Sequence, residues 1–70
     1  MDTASAVTMA AEVAEREGYD VRQYDFRIKR TSTGWEIDYM RKRDAKPGPG
    51  DFFSIHVDER TESVRIGYGK

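Results

Sequence analysis

The spacing of apolar side chains changes once along the chain, from a helical period to an alternating one. Over residues 4–17, Val7, Ala10, Ala11 and Ala14 fall on one stripe of a 3.6-residue helix, with Met9 and Val13 widening it. The segment is rich in Ala and Glu, both favourable in helices. Asp2 or Thr3 stands where a side-chain oxygen caps the first free N–H groups. Gly18 stands where the left-handed residue after a helix belongs. The small alanines predict close approach of this helix to whatever it covers.

From residue 22 the period becomes two. Tyr24, Phe26 and Ile28 alternate with Gln23, Asp25, Arg27 and Lys29, and Trp35, Ile37 and Tyr39 alternate with Glu36, Asp38 and Met40. Phe53, Ile55 and Val57 alternate with Phe52, Ser54 and His56, and Val64, Ile66 and Tyr68 with Arg65 and Gly67. These runs predict strands over residues 22–30, 35–41, 51–58 and 63–68. Each has one apolar and one polar face, as in an antiparallel sheet covered on one side. Thr31 to Gly34 and Glu59 to Glu62 read as hairpin turns. The expected architecture is a single α+β domain over residues 1–70, one N-terminal helix packed on a curled four-stranded antiparallel meander. Its inner face should hold Tyr24, Phe26, Ile28, Trp35, Ile37, Tyr39, Phe53, Ile55, Val57, Val64 and Ile66, with Val7, Ala10, Val13 and Ala14 across it. One helix is a narrow cover for four strands, so the sheet is expected to curl around it.

Residues 42–50, with Pro47, Gly48, Pro49 and Gly50, form the one long link. Its prolines cannot donate to a ladder. Loops on a rigid scaffold often carry function.

Composition narrows the picture. A chain of 70 residues without Cys has neither disulfides nor a thiolate metal site, so its stability rests on one small core. The net charge is −1, which gives no global pull toward nucleic acid or anionic membrane. The distribution is uneven. Residues 21–50 hold eight bases against four acids, including Arg22, Arg27, Lys29, Arg30, Arg41, Lys42, Arg43 and Lys46. No apolar run approaches a membrane span, and no basic and hydrophobic leader opens the chain. A cytoplasmic protein is expected.

The residues that carry chemistry elsewhere do not assemble a motif here. His56 is the one histidine and lies on the polar face of its strand, too few for a His-based metal cluster. Ser54 and His56 share that face and Asp38 is a candidate neighbour, but no nucleophile elbow accompanies them. Glu36 and Asp38 share a face with Arg27, Lys29 and Arg65, which makes cross-strand ion pairs the simpler reading. The Pro-Gly-Pro-Gly run lacks the Lys-Ser/Thr of a phosphate loop. We therefore expect no enzymatic activity, no metal and no cofactor.

One resemblance covers most of the chain. Ala10-Ala11-Glu12-Val13-Ala14 leads to Gly18-Tyr19-Asp20-Val21 and Gly34-Trp35-Glu36-Ile37, and Pro49-Gly50-Asp51-Phe52-Phe53 leads to Ile55-His56-Val57-Asp58, Thr61 and Val64. In this order the chain resembles the PepSY-like and cystatin-like helix-on-sheet domains, and its style is similar to that of small bacterial immunity proteins. The Gln-x-Val-x-Gly loop of cystatins is absent, since Tyr24-Asp25-Phe26-Arg27 follows Gln23. The resemblance implies a binding or inhibitory module. The expected function is thus a non-enzymatic protein-binding module, an inhibitor or immunity-type protein acting by occupancy of a partner. Met40, Arg41, Lys42, Arg43, Pro47 and Phe52 are the expected contact residues. The alternative is a nucleic-acid-binding accessory protein that uses the basic segment 22–46. A homodimer is a further expectation, through the exposed sheet face or through the edge of the last strand at Gly67-Tyr68-Gly69.

Overall fold

The computed structural model describes residues 1–42 and 52–68, with the backbone alone at Tyr68. Helix α1 spans Thr3–Arg16. Asp2 is its cap: the Ser5 N–H donates to Asp2 Oδ1 at 2.8 Å. Gly18 ends the helix at φ +97°, a region closed to most side chains. The Gly18 N–H then reaches the Glu15 carbonyl and the Tyr19 N–H the Ala14 carbonyl, at 3.0 and 2.9 Å.

A 3-10 turn over Val21–Gln23 follows, capped by Asp20, whose Oδ1 accepts from the Arg22 N–H at 3.1 Å. This turn occupies residues that alternation assigned to the first strand. Strand β1 accordingly runs over Tyr24–Arg30, β2 over Gly34–Arg41, β3 over Phe52–Asp58 and β4 over Ser63–Tyr68. They form one antiparallel sheet in the order β1-β2-β3-β4. The fold is α+β, one N-terminal helix on a four-stranded antiparallel meander, as the two periods predict.

Two aligned rows cross the inner face: Phe26 opposite Tyr39 opposite Phe53, and Ile28 opposite Ile37 opposite Ile55. The core gathers Ala6, Ala10, Ala14, Tyr24, Trp35, Ile37, Tyr39, Phe53, Ile55 and Val57. Val13, Tyr19, Val21, Val64 and Ile66 pack against it from partly buried positions. Phe53 is the centre of the rings. Tyr19 and Tyr39 stack on it at 4.1 and 4.8 Å between centroids, and Tyr24 meets it edge-on at 5.1 Å. Such ring pairs add to the burial of their area.

The helix meets the sheet through Ala6, Ala10 and Ala14, all fully buried. They recur every four residues and lie one above the next along a single row. Ala6 takes the place expected of Val7, which is only partly buried. Trp35 ties the start of the helix to the sheet, its Nε1–H donating to Thr3 Oγ1 at 3.3 Å.

The expected inner face needs one correction. Phe26 is 52% exposed and Ile28 36% exposed, whereas Phe53 and Ile55 are fully buried. The reason is width. Four strands at their usual spacing span about 14 Å between outer backbones, while a helix with its side chains is only about 10 Å across. Here α1 packs on β2, β3 and β4, and β1 is the strand left beyond it.

Candidate functional site

The uncovered part of β1 is a short apolar strip with charged ends. At one end Tyr24 is buried under Arg41, whose guanidinium lies 5.0 Å from the ring centre and donates to the Tyr24 hydroxyl at 2.9 Å. At the other end the Arg30 guanidinium sits 4.2 Å over the Trp35 ring, donates to the Gly34 carbonyl at 3.3 Å and pairs with Glu59 at 2.8 Å. Between them stand Phe26, 5.9 Å from the Tyr39 ring, and Ile28. Two arginines thus bracket two bare apolar side chains on a fixed sheet.

The same strand is an edge, and its phase follows from the ends of the ladder. The Lys42 N–H donates to the Gln23 carbonyl at 2.9 Å, and the Thr31 N–H to the Gly34 carbonyl at 2.8 Å. Antiparallel strands bond at alternate residues, so Asp25, Arg27 and Lys29 turn their backbone groups toward β2. Phe26, Ile28 and Arg30 turn theirs outward, while the Tyr24 N–H donates to the Val21 carbonyl. The residues with bare apolar side chains therefore also present the unpaired N–H and C=O groups of the edge.

The outer face of the sheet is ionic. Lys29 Nζ lies 3.6 Å from Glu36 and 3.3 Å from Asp38. Asp38 is buried for a charged residue and accepts from the Ser54 hydroxyl at 2.8 Å. Burial pushes the Asp38 carboxyl up, but hydrogen bonds with Ser54, Glu36 and Lys29 and the Lys29 charge outweigh it, leaving it below the usual carboxylate range. Asp38 in turn holds the Lys29 ammonium above its ordinary value, chiefly through their hydrogen bond. His56 Nδ1 faces Glu36 at 3.7 Å. Ser54, His56 and Asp38 do share a face, but Ser54 bonds to the carboxylate and His56 turns to Glu36. A nucleophile–imidazole–carboxylate relay is not assembled in that order. Among the described residues no group of three or more carboxylates or histidines is placed to hold a metal ion.

The contact residues expected from sequence part company. Met40, 43% exposed, and Phe52 are register partners on the outer face. Lys42 is exposed just past the end of β2. Arg41 instead folds onto Tyr24 on the inner side. Arg43 and Pro47 lie outside the described residues. The basic segment is also divided: Arg22 pairs with Asp20 at 3.1 Å, Lys29 with Glu36 and Asp38, and Arg30 with Glu59.

A cavity of about 260 Å³ lies where the helix end meets the end of β1, lined by Glu17, Gly18, Tyr19, Asp20, Gln23, Tyr24 and Arg41. Its walls mix carboxylates with an arginine already engaged by Tyr24.

Sequence reasoning missed Phe26 and Ile28 as surface residues, although a signal was present. Arg30 and Arg41 occupy inner-face positions of their strands by alternation, and charges pointing inward mark a poorly covered edge. No helix of the described residues is long and apolar enough to cross a membrane. Comparison with family models, curated proteins and solved structures finds no match.

Proposed function

We propose that the chain is a non-enzymatic protein-binding module that acts by occupying a partner, with the uncovered strip of β1 as its recognition surface. The observation that carries this reading is the exposure of Phe26 and Ile28 beside a core in which their row neighbours Tyr39 and Ile37 are buried. Phe26 and Ile28 keep 52% and 36% of their surface in water, which forgoes on the order of 1 kcal/mol each of burial. An apolar patch rimmed by charge is the common form of a protein contact site. The flanking Arg41 and Arg30 are held by Tyr24 and by Glu59, so the rim is ordered before a partner arrives.

The likeness of the helix-and-meander order to PepSY-like and cystatin-like domains, and to small immunity proteins, supports inhibition by occupancy. The pairing of Arg22, Lys29 and Arg30 with acids of the same chain supports a protein partner over nucleic acid, which would draw on a continuous basic surface.

The test is affinity capture from the native source with three baits: the unmodified chain, Phe26→Lys with Ile28→Lys, and Met40→Lys. A specific protein retained by the first and third baits and lost by the second is the expected result. Retention by the double variant, with its circular dichroism unchanged, sinks the strip as the recognition surface. Loss by Met40→Lys alone moves the surface to the outer pair Met40 and Phe52.

A further inference from the structure

We infer that the partner protein adds a strand to β1: an extended segment that pairs with Phe26, Ile28 and Arg30, lays apolar residues over the strip and places a carboxylate opposite Arg27. The inference rests on the reading above for its site and adds the mode of capture and the chemistry of the captured segment.

The argument begins with the backbone. β1 keeps an unbroken register with β2 over Tyr24–Arg30 and contains no proline. The outward N–H and C=O groups of Phe26 and Ile28 belong to the residues whose side chains form the bare strip. A partner that covers those side chains covers these backbone groups as well, and buried backbone groups left without partners are costly. A helix or a compact loop resting on the strip leaves them unmet. One extended strand meets those of Phe26, Ile28 and Arg30 together and sets every second side chain over the strip. Open edges are commonly guarded by a lysine, a bulge or a proline. The lysine of this strand, Lys29, is instead drawn back onto Glu36 and Asp38 of β2.

Charge states what the segment carries. Arg27 has no ion pair among the described residues, because its register partner Asp38 is engaged by Lys29 and Ser54. Asp25, two residues away on the same face, has none either. An antiparallel segment answers both when it runs apolar, acid, apolar, base from its N-terminal end, opposite Ile28, Arg27, Phe26 and Asp25. Opposite charges directly across a strand pair stabilise it.

A second copy of the chain fits this edge less well. Paired about Arg27, it sets two arginines face to face. Paired about Ile28, it sets Arg27 against Lys29 twice. Paired about Phe26, it answers the charges but turns Ile28 to Tyr24, whose N–H already donates to the Val21 carbonyl. A strand of another protein meets none of these conflicts.

The probe is the peptide acetyl-Val-Thr-Val-Glu-Val-Lys-Thr-amide, titrated to millimolar concentration into the whole chain and followed by amide NMR. Its valines stand opposite Arg30, Ile28 and Phe26, its glutamate opposite Arg27 and its lysine opposite Asp25. The Phe26, Ile28 and Arg30 amides should shift and gain protection from exchange. N-methylation of the second valine, whose N–H meets the Ile28 carbonyl, should weaken binding about tenfold. N-methylation of the glutamate, whose N–H points away from the edge, should leave it unchanged. Lysine in place of the glutamate should weaken binding about two- to fivefold, and Arg27→Glu should restore it. No shift at the three amides, equal loss from the two N-methyl peptides, or a charge swap without rescue overturns the inference. So does protection of the Phe26 and Ile28 amides in the chain alone with sedimentation at twice its mass, which gives the edge to a second copy. If capture depends on Phe26 and Ile28 while N-methylation has no effect, the strip stands and strand addition falls. If capture ignores the strip, the reading above falls and takes this inference with it.

Discussion

β1 and β3 flank the same central strand and contribute to the same two rows, Phe26–Tyr39–Phe53 and Ile28–Ile37–Ile55. Residue types, alternation and hydrogen-bonding partner are alike in the two strands. Their surroundings are opposite, since Phe53 and Ile55 lie under the helix with no exposed surface while Phe26 and Ile28 face water. The difference comes from the helix layer and not from the strands. An alternating pattern states which side of a strand is apolar, and it is silent on whether anything covers that side. Among the described residues one α-helix covers the sheet, and the strand beyond it keeps its apolar face partly in water.

The largest expected effect tests that contrast directly. Phe53→Ala removes the ring on which Tyr19, Tyr24 and Tyr39 converge, and should cost about 3–5 kcal/mol. A domain of 70 residues has a total stability of roughly 4–10 kcal/mol, so this variant should be largely unfolded or close to it. Phe26→Ala, from the same row, should cost less than about 1 kcal/mol, as surface changes do. Urea unfolding of both gives the ratio. Similar costs for the two would mean that β1 is covered after all.

The next effect concerns the turn that joins the uncovered strand to the covered ones. Gly34 is buried at the start of β2, and a methyl group there would run into the Val57 carbonyl oxygen and crowd the Glu59 N–H. Those atoms are backbone and cannot swing aside. Gly34→Ala should therefore cost about 1–3 kcal/mol by forcing β2 and β3 apart. The loss should appear in denaturant melts and as faster amide exchange at Trp35 and Val57. A neutral substitution would show that the hairpin shifts freely against β3.

The sequence and the structure agree most where the signal is local. The helix, its Asp2 cap, the left-handed Gly18 and the alternating strands depend on neighbours within a few residues, and all are legible in the chain. The 3-10 turn at Val21–Gln23 is legible too, but only through Asp20, whose side chain caps it in competition with an extended start to β1. The exposure of Phe26 and Ile28 is not local. It depends on where a helix of limited width settles on the sheet, which Ala6, Ala10 and Ala14 decide from the other end of the chain. The inward-phase charges Arg30 and Arg41 were the one local trace of that outcome. Arg41 illustrates the same limit: its expected role as an outward contact assumed a free side chain, and the Tyr24 ring holds it on the inner face.

The smallest effect lies on the outer face, where β1 is secured without a core. Lys29 of β1 reaches Glu36 and Asp38 of β2, and Asp38 is held in turn by Ser54 of β3. Because the folded-state pKa of Asp38 is below its ordinary value, its contribution is fully present above the unfolded value of about 4. It is lost as the pH falls through the folded value. Lys29 has the opposite sign: its raised pKa contributes below its unfolded value of about 10.4 and is lost as the pH rises through the folded one. Stability from this cluster is thus level between the two limits. Ser54→Ala should cost about 1 kcal/mol at neutral pH, and the gap to the unmodified chain should narrow below about pH 4, where Asp38 takes up its proton. Amide exchange followed during acidification sharpens the comparison. Asp25, Arg27 and Lys29 of β1 should lose protection before Phe53, Ile55 and Val57 of β3, because charge pairs supplement the ladder in the first strand and the helix covers the second. Simultaneous loss in both strands would mean that the ionic face contributes nothing to holding β1.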